Sequence, residues 1–342
     1  MRALMYQGPK QLEVVDVPKP TPKAGEVLLK IRSCGICGSD VHGYLGMTGR
    51  RIPPMVMGHE FSAEVEALGE NTSGTYKLGD RVTVQPIDFC GHCEKCKEGY
   101  TNVCENRELF GVMDVNGAFE EYLVVPEKLL YKLPDNLSYA DGAMIEPLAV
   151  AYCGVKKAGD IVGKNVLVVG GGTIGQLVLM VVKAMGPKKV ILSDLSDARL
   201  ETAKKLGADA VINPGGKDFV QEVKNIMGEE QIDIAIEAVG VGATVAQAMS
   251  VLKSQGTCVW VGNSAKTIEI DMQAVVTKEL KIIGTYTYTH DEFKEAMDFI
   301  AAQNLDFSPL ISKEISLEEA PKYFEALVTE TDKYLKILVA FA

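Results

Sequence analysis

The sequence predicts an α/β protein in which a mostly β, barrel-like domain is joined to a domain built on a doubly wound parallel sheet. Three observations lead to this prediction. Short strands fill the chain to about residue 151, strands alternate with helical stretches from about residue 154, and a glycine-rich turn follows the first of these later strands. Such alternation is typical of a parallel sheet with helices on both faces. A chain of 342 residues also fits two domains better than one.

The first part of the chain carries runs such as VLLKI, DRVTV and FEEYLVV, separated by Gly, Pro and Asp, as in β domains. After the parallel-sheet region, the tail contains a predicted helix over about 291–303, the run PLISKEI, a helix over about 318–328 and a final strand. This tail has no further glycine-punctuated strand–helix unit, so we assign it to the first domain. The predicted domains are therefore 1–151 with 289–342, and 152–288.

The composition excludes two classes of partner. Residues are 47% hydrophobic and 24% charged, and the net charge is −11. Nucleic acids and anionic membrane surfaces attract basic faces, so we expect neither as a partner. The longest apolar run, 166–182, is interrupted by glycines and by Gln176, which indicates a buried strand, turn and helix and not a membrane span. The expected partners are small molecules and copies of the chain itself.

Four of the eight cysteines lie within fifteen residues, in the stretch FCGHCEKCKEGYTNVC. They are Cys90, Cys93, Cys96 and Cys104. The spacing C-x2-C-x2-C-x7-C suits a closed tetrahedral zinc site. An iron–sulfur cluster fits less well, because Glu105 follows the last cysteine where the ferredoxin pattern has proline. Disulfides would need an export signal, and the N-terminus has no apolar core of signal length, so we expect reduced thiols in the cytoplasm. Four closed ligands leave no open position, which makes this zinc structural.

A nucleotide site is predicted where VLVVGGGTIG continues into QLVLMVVKAM. Here a strand runs through G-x-G-x-x-G into a helix. Gly170 permits the tight turn, Gly172 lets a pyrophosphate approach the backbone, and Gly175 lets helix and strand pack closely. The start of the helix, at Thr173 and Ile174, would offer N–H groups and partial positive charge to the phosphates.

The next strand ends in Asp194, nineteen residues beyond Gly175. A carboxylate there can bind both hydroxyls of an adenosine ribose and repel a 2′-phosphate. The sequence therefore favours NAD over NADP. Arg199 follows five residues later, and we interpret it as lying against the adenine or on a solvated helix face, with a phosphate contact as the alternative.

Two further segments carry metal-ligand residues, CGICGSDVH and MGHEF. A thiolate, an imidazole and a carboxylate are the mixture that leaves zinc Lewis-acidic, with one position open. Cys34, Cys153 and Cys258 lie in apolar stretches and are interpreted as buried small hydrophobes. His92 and His290 are interpreted as structural.

Together, the cysteine spacing, GICGSDVH, GHEF, IEP at 145–147 and GGGTIG resemble the zinc-dependent medium-chain alcohol dehydrogenases, in the branch with sorbitol, threonine and butanediol dehydrogenases. The resemblance covers essentially the whole chain. It implies a GroES-like catalytic domain that carries both zinc sites, and a Rossmann NAD-binding domain. It also implies two zinc ions per chain, a homodimer or homotetramer, and hydride transfer between NAD and a secondary alcohol or polyol, giving a ketone.

The resemblance further implies a role for single residues. The implied catalytic zinc ligands are Cys37, His59, Glu60 and Glu146. Whether Glu60, Glu146 or a water completes the zinc shell stays open. Ser39 matches the hydroxyl that receives the substrate proton, and His42 matches the outer member of that relay. The backbone near Val239 and Gly262 is expected to touch the cofactor. Lys336 matches a basic residue near the pyrophosphate, with an exposed surface charge as the alternative.

The sequence also departs from single members of the family. Sorbitol dehydrogenases carry an arginine–tyrosine pair after the last sheet strand, whereas this chain has Thr287 and Tyr288. The missing guanidinium removes a fork of donors for polyol hydroxyls. Threonine dehydrogenases usually have aspartate at the position of Glu146. Butanediol dehydrogenases match EPLAVAY and LKILV better, although some lack the cysteine lobe.

The substrate pocket is expected to be fairly apolar, which suits a secondary alcohol with a hydrocarbon part. Its predicted lining is Tyr44, Met47, Phe110, Met113 and Tyr288. Arg50 and Arg51 could clamp a phosphate, as a hexitol phosphate would require, or form a solvated loop. The alternative function is a non-catalytic NAD- and zinc-binding regulator, which would be free to lose residues such as Cys37 or His59.

Overall fold

The computed structural model describes residues 1–113 and 115–342. It divides into two compact units, Met1–Glu146 with Thr289–Ala342, and Pro147–Tyr288. The division falls five residues before the expected boundary, inside a helix that the sequence analysis overlooked. None of the helices in the described parts of the chain is long and apolar enough to cross a membrane.

The strands before the first long helix are β1 (Arg2–Gly8), β2 (Gln11–Asp16), β3 (Glu26–Gly35), β4 (Met55–Val56), β5 (Glu60–Leu68), β6 (Arg81–Val84), β7 (Ile87–Asp88), β8 (Glu108–Leu109), β9 (Tyr122–Pro126) and β10 (Leu130–Lys132). The helices of this region are α1 (Gly38–Tyr44), α2 (Glu94–Lys97) and α3 (Tyr139–Lys157), with short 3₁₀ turns at Thr101–Val103 and Glu127–Leu129.

The following elements are β11 (Asn165–Val169), α4 (Thr173–Ala184), β12 (Lys189–Ser193), α5 (Asp197–Lys205), β13 (Ala210–Ile212), α6 (Phe219–Met227), β14 (Ile232–Glu237), α7 (Gly242–Ser250), β15 (Leu252–Trp260), α8 (Met272–Thr277) and β16 (Lys281–Gly284). The tail adds α9 (His290–Gln303), β17 (Ile311–Ile315), α10 (Ala320–Thr329) and β18 (Lys336–Ala340).

The first unit is built around a seven-stranded sheet. Its strand order is β10-β6-β5-β3-β18-β17, and β9 also pairs with β3. Smaller sheets, β2-β1-β4 and β7-β8, complete the unit. Tail residues Phe324, Ile337 and Val339 are buried in the same apolar core as Ile31 and Phe61. The tail therefore belongs to the first unit physically, because it supplies both strands and core side chains.

The second unit contains one six-stranded sheet in the order β13-β12-β11-β14-β15-β16, with every neighbouring pair parallel. In chain order this is 3-2-1-4-5-6, the doubly wound Rossmann arrangement, in which ligands bind where the order reverses. All five residues of β11 are buried, as expected of a central strand covered on both faces. Four predicted cofactor residues follow the carboxyl ends of its strands: Gly170, Asp194, Val239 and Gly262.

Helix α3 was not expected from the sequence. It is the longest helix among the described residues, with 19 residues and Pro147 inside it. The stretch was predicted to be part of the β domain, and a proline in a helix interior removes one backbone hydrogen bond. Buried residues such as Met144, Ile145 and Leu148 show that packing outweighs the lost backbone hydrogen bond. Glu146 precedes the proline on this helix.

Candidate active site

The four cysteines of the lobe 90–104 converge on one point. Their sulfurs all lie within 4.8 Å of one another, with Cys90–Cys104 at 3.6 Å, Cys93–Cys104 at 3.8 Å and Cys90–Cys96 at 4.0 Å. Sulfurs about 2.3 Å from a tetrahedral zinc are about 3.8 Å apart. A disulfide needs about 2.05 Å, and all four thiols are free. The lobe therefore has the dimensions of a zinc cage.

A second group of possible metal ligands lies in the same unit, on adjacent strands. The ligand atoms of Cys37, His59 and Glu60 all lie within 4.8 Å of one another. Cys37 follows β3, while His59 and Glu60 stand at the start of β5, which pairs with β3 through Gly35 opposite Glu60. Sheet pairing thus brings together residues 22 positions apart. The group has one thiolate, one imidazole and one carboxylate, the donor set of an open zinc site.

The Glu60 carboxylate is held from two sides. A Cβ at Gly35 would lie only 2.2 Å from Glu60 Oε2, so glycine leaves the space that the carboxylate occupies. From β18, Lys336 Nζ donates to Glu60 Oε2 at 2.6 Å and to Ile36 O at 3.1 Å. The Lys336 side chain is 2% exposed. Burial acts to lower the pKa of Lys336, but Glu60 and Cys37 outweigh it and raise that pKa. The expectation of a pyrophosphate contact or an exposed charge was wrong, because Lys336 faces the metal ligands inside the sheet.

Asp40 joins the two other ligands. It is fully buried, its Oδ2 accepts a hydrogen bond from Cys37 N at 3.1 Å, and its Oδ1 lies 3.4 Å from His59 Nδ1. The latter is a long ionic contact without regular hydrogen-bond alignment. Burial acts to raise the pKa of Asp40, but His59 and Arg51 lower it to about 2. With Nδ1 facing Asp40, His59 keeps Nε2 for a metal, the usual carboxylate–histidine–zinc arrangement. The sequence analysis missed Asp40, although it stands inside the motif GICGSDVH.

Arg51 is also buried and paired. Its Nη2 donates to Asp40 Oδ1 at 2.9 Å and to Ser39 Oγ at 3.0 Å. The expectation of a phosphate clamp or a solvated loop was therefore wrong for Arg51, whereas its neighbour Arg50 is exposed. Both predicted roles would have left the guanidinium accessible. The buried carboxylate of Asp40 instead holds it inside the unit.

The remaining predicted residues of this site are less closely grouped. Ser39 is half-buried and His42 exposed, three residues apart on α1, where such residues share a helix face. Glu146 is buried on α3 but does not belong to the group of ligand atoms within 4.8 Å. Its role as a ligand or exchange partner stays a prediction.

Three predicted pocket residues are buried core residues: Tyr44, Phe110 and Tyr288. Tyr44 packs against Phe324 with ring centroids 5.6 Å apart, and its hydroxyl donates to Glu325 at 3.0 Å. Phe110 is buried in the same apolar cluster. Tyr44 and Phe110 sit in apolar stretches whose direction the sequence does not give. Met47 is 71% exposed, and Met113 is half-buried.

The glycine-rich turn of the second unit contains two glycines that its backbone geometry requires and one that it does not require. A Cβ at Gly175 would lie 1.8 Å from Gly170 O, so only glycine permits the close approach of α4 to β11. Gly170 has a φ of +101°, which side chains rarely adopt. A Cβ at Gly172 would meet nothing within 4 Å, so packing does not require glycine there. Open space at the start of α4 is what an approaching pyrophosphate needs.

Asp194 lies beside this turn. Its Oδ2 accepts from Gly171 N at 2.6 Å, and its Oδ1 accepts from Ser196 N at 2.8 Å. Arg199 Nη1 lies 3.7 Å from Asp194 Oδ2. The carboxylate is therefore fixed at the carboxyl edge of the sheet, one residue after β12, as a ribose-binding acid must be. The contact of Arg199 with ribose, adenine or phosphate is still a prediction.

Glu237, which was not among the predicted site residues, connects the turns after β14 and β15: its backbone carbonyl accepts from Gly262 N at 3.0 Å, and its side chain holds the turn after β14. Its Oε1 accepts from Val239 N at 2.9 Å, Gly240 N at 2.7 Å and Thr244 Oγ1 at 2.7 Å. A Cβ at Gly262 would lie 2.1 Å from Gly240 N. Val239 and Gly262 are therefore neighbours in space. Their contact with a cofactor stays a prediction.

Comparison with known proteins matches these features to one family. Residues 23–135 match the family of alcohol dehydrogenase GroES-like domains, and residues 173–302 match that of zinc-binding dehydrogenases. The chain is 31% identical over 343 residues to a sorbitol dehydrogenase of Bacillus subtilis, covering 99% of this chain and 97% of that protein.

Two solved structures are similar over the full chain. One is a 2R,3R-butanediol dehydrogenase from Bacillus subtilis, with a TM-score of 0.90, 34% identity and coverage of 100% of this chain and 99% of that one. The other is an alcohol dehydrogenase from Escherichia coli in complex with NADH, with a TM-score of 0.93, 31% identity and the same coverage.

The chain therefore belongs to the zinc-dependent medium-chain alcohol dehydrogenase family, as its motifs predicted. It is a zinc- and nicotinamide-dependent oxidoreductase with a small-molecule substrate. The alternative of a non-catalytic regulator is not favoured, since these relatives are enzymes.

Proposed function

We propose that this protein interconverts a secondary alcohol or polyol and the corresponding ketone, with NAD as the hydride carrier and two zinc ions per chain. One observation carries the proposal. Cys37, His59 and Glu60 gather their ligand atoms within 4.8 Å, and Asp40 and Lys336 hold them there from inside the fold. Metal ligands that are held in place by other buried side chains are suited to an open, reactive zinc site.

The charges around the three ligands support this assignment. Asp40 pairs with Arg51, and Glu60 pairs with Lys336, each pair at most 2% exposed. These four charges cancel in pairs, which leaves the Cys37 thiolate and His59, whose imidazole is neutral when it binds a metal. A divalent ion added to them gives one excess positive charge. Such a site favours negative charge on a substrate oxygen.

Zinc would polarise the alcohol oxygen and NAD would accept the hydride; the protein's own groups manage the proton and the orientation. Ser39 accepts the proton that leaves the substrate oxygen while its own proton passes toward His42. His42 is exposed and can exchange that proton with water. Asp40 keeps the His59 ring and the Cys37 backbone in place throughout.

The preference for NAD rests on Asp194. Both of its oxygens already accept backbone N–H groups, which fixes the carboxylate at the sheet edge. A 2′-phosphate brought to this position would meet a fixed negative charge. Arg199, 3.7 Å away, would offset part of that repulsion. We therefore expect a preference for NAD that is large but not absolute.

The substrate class follows from the relatives and from one departure. The relatives act on sorbitol and 2,3-butanediol by name, and both compounds carry secondary hydroxyl groups. This chain has Thr287 where sorbitol dehydrogenases carry arginine, and so offers fewer charged donors to a polyol chain. A secondary alcohol with a hydrocarbon part fits better than a free hexitol. Arg51 is buried against Asp40 and is therefore not available to bind the phosphate group of a hexitol phosphate, which argues against that substrate.

We further propose a homodimer or homotetramer in a reducing cytoplasm. Strand β16 is the edge of the six-stranded sheet, and an edge strand can pair across a two-fold axis. Exposed apolar residues on and beside α8, such as Met272 and Val276, would be covered by such a contact. The cage of four thiols suits a compartment that keeps thiols reduced.

The experiment that tests the function combines metal analysis with a substrate panel. The purified protein is assayed for zinc per chain and for NADH formation with butane-2,3-diol, sorbitol, threonine and hexitol phosphates. We expect two zinc ions, NADH formation that is highest with butane-2,3-diol, and a lower kcat/KM with NADP. Turnover that survives complete removal of zinc would contradict the proposal. So would fewer than two zinc ions in fully active protein.

A further inference from the structure

Arg51 is a buried cation that the proposed chemistry has not yet used. It follows α1 in a loop whose neighbouring residues, Arg50 and Ile52, are exposed, yet its own side chain is 2% exposed. Taking a guanidinium out of water is costly unless it is paired and hydrogen-bonded. Its contacts therefore indicate what holds it inside.

The first contact is electrostatic. Arg51 Nη2 donates to Asp40 Oδ1 at 2.9 Å, the same oxygen that lies 3.4 Å from His59 Nδ1. Asp40 also accepts from Cys37 N through its other oxygen. Arg51 thus neutralises the carboxylate that orients two zinc ligands. Without it, Asp40 would be a buried anion beside a thiolate.

The second contact is directional. The same Nη2 donates to Ser39 Oγ at 3.0 Å. A serine hydroxyl has one proton and two lone pairs, and a guanidinium can only donate. The hydrogen bond from Arg51 therefore occupies one lone pair of Ser39 Oγ, and the positive charge of Arg51 repels the hydroxyl proton of Ser39. One lone pair is left to accept the substrate proton, and the O–H is left to donate away from Arg51.

Space for this arrangement is provided within α1. A Cβ at Gly43 would lie 1.9 Å from Arg51 Cδ and 2.6 Å from Nε. Glycine weakens a helix interior, so alanine would be the better helix former at this position. With glycine at this position the helix is less stable than it would be with alanine. The space that glycine leaves lets the Arg51 side chain cross the helix and reach Ser39 and Asp40.

We propose that Arg51 is the positioning residue that couples the two halves of this site: through Asp40 it fixes the zinc ligands, and through Ser39 it gives the proton relay one direction. Arg51 touches neither substrate nor metal in this role. The proposal rests on the proposed function, because it assigns Arg51 to the zinc and the relay of that same site.

The test compares Arg51→Met with Arg50→Met, its exposed neighbour, and with Arg51→Lys. Three quantities are measured: the rate at which a chelator removes zinc, kcat with the KM for NAD, and the solvent deuterium isotope effect on kcat. For Arg51→Met we expect faster loss of one zinc and a kcat about 10- to 100-fold lower, as when outer partners of metal ligands are removed. The KM for NAD stays unchanged and the isotope effect rises, because proton transfer becomes slower. Arg50→Met behaves as the wild type.

Arg51→Lys separates the two contacts. A lysine keeps the positive charge beside Asp40 but lacks the planar fork, so zinc retention returns toward the wild-type rate while kcat stays low. If Arg51→Met does not fold, Gly43→Ala decides, because its methyl group displaces the retained arginine. Gly43→Ala should then show the same two defects.

The proposal would be overturned if either Arg51→Met or Gly43→Ala released zinc at the wild-type rate and also had the wild-type kcat. So would a rise in the KM for NAD with kcat unchanged. Failure of the proposed function is distinguishable, because it would appear as missing zinc or missing turnover in the wild-type protein before any variant is made.

Discussion

The two candidate zinc sites of the first unit differ in how the chain supplies them. The cysteine cage takes all four ligands from fifteen consecutive residues, and three of its cysteines are partly exposed. The site at Cys37 takes its ligands from two separate segments and is held by residues of α1, the following loop and β18. A closed site needs only local spacing, because the ion itself organises the loop. An open site needs a fold that keeps its ligands in place while one position stays free.

Removing a ligand from the open site should have the largest effect. Cys37→Ala is expected to lower kcat/KM by about 10³-fold or more, because a Lewis acid contributes several kcal/mol and each 1.4 kcal/mol is tenfold. Zinc content should fall by one ion per chain, while NADH binding to the second unit is retained. Metal analysis, steady-state kinetics and NADH fluorescence titration measure these changes. If Cys37→Ala kept the activity of the wild type, the site at Cys37 could not be called the reactive zinc site and the comparison with the cage would fail.

Removing a ligand from the cage should affect stability and leave the chemistry intact. Cys93→Ser is also expected to lose one zinc, but with kcat close to that of the wild type in the remaining folded protein. We expect the thermal midpoint to fall by about 5 °C or more, since 1 kcal/mol corresponds to roughly 2–4 °C in a unit of this size. Trypsin should cleave faster after Lys95 or Lys97, which lie on α2 inside the cage. Loss of turnover in stable Cys93→Ser protein would show that the cage is not merely structural.

Lys336→Met tests whether the open site depends on charges from the fold. The substitution removes the cation that pairs with the buried Glu60 carboxylate, and breaking a buried ion pair typically costs about 3–5 kcal/mol. Urea unfolding measures this loss. The matched control is Lys333→Met, which breaks an exposed pair with Glu330 and should cost no more than about 1 kcal/mol. Equal stability losses in the two variants would mean that Glu60 does not depend on Lys336.

The smallest expected effect concerns the anchor of the cage lobe. His290 N donates to Thr101 Oγ1 at 2.8 Å, and the His290 ring packs against Phe89. Burial lowers the pKa of His290, with Lys128 acting in the same direction and Asp291 opposing it. The unfolded chain then binds this proton more readily than the folded one, so His290 makes stability fall as pH drops below about 6.5.

His290→Gln should therefore reduce the difference in thermal midpoint between pH 7.5 and pH 5. His92→Gln, on the exposed part of the same lobe, is the control. An unchanged pH dependence in His290→Gln would show that this half-buried histidine does not anchor the lobe through its neutral form.

Local patterns explain which features could be predicted. The cage spacing, the order of strands and helices, and the G-x-G-x-x-G turn are each written in consecutive residues, so the family followed from them. Helix α3 was not predicted. Pro147 is a local signal against a helix, and the burial of its flanking apolar residues overrides that signal. The same limit applied to Tyr44, whose apolar surroundings did not reveal which face of α1 it occupies.

The sequence by itself determined the family and the doubly wound sheet, because those depend on residue type and short spacing. It also predicted the cage from its spacing and, through the resemblance to the family, the candidate zinc ligands. Only the tertiary structure decided what surrounds those ligands. Lys336 is 276 residues from Glu60 in the chain, yet it pairs with that carboxylate. Arg51 was predicted to be one of two accessible loop arginines, whereas the structure packs it against Asp40 and Gly43. Buried charges are kept where their partners are, and strand pairing and helix packing bring those partners together across the chain.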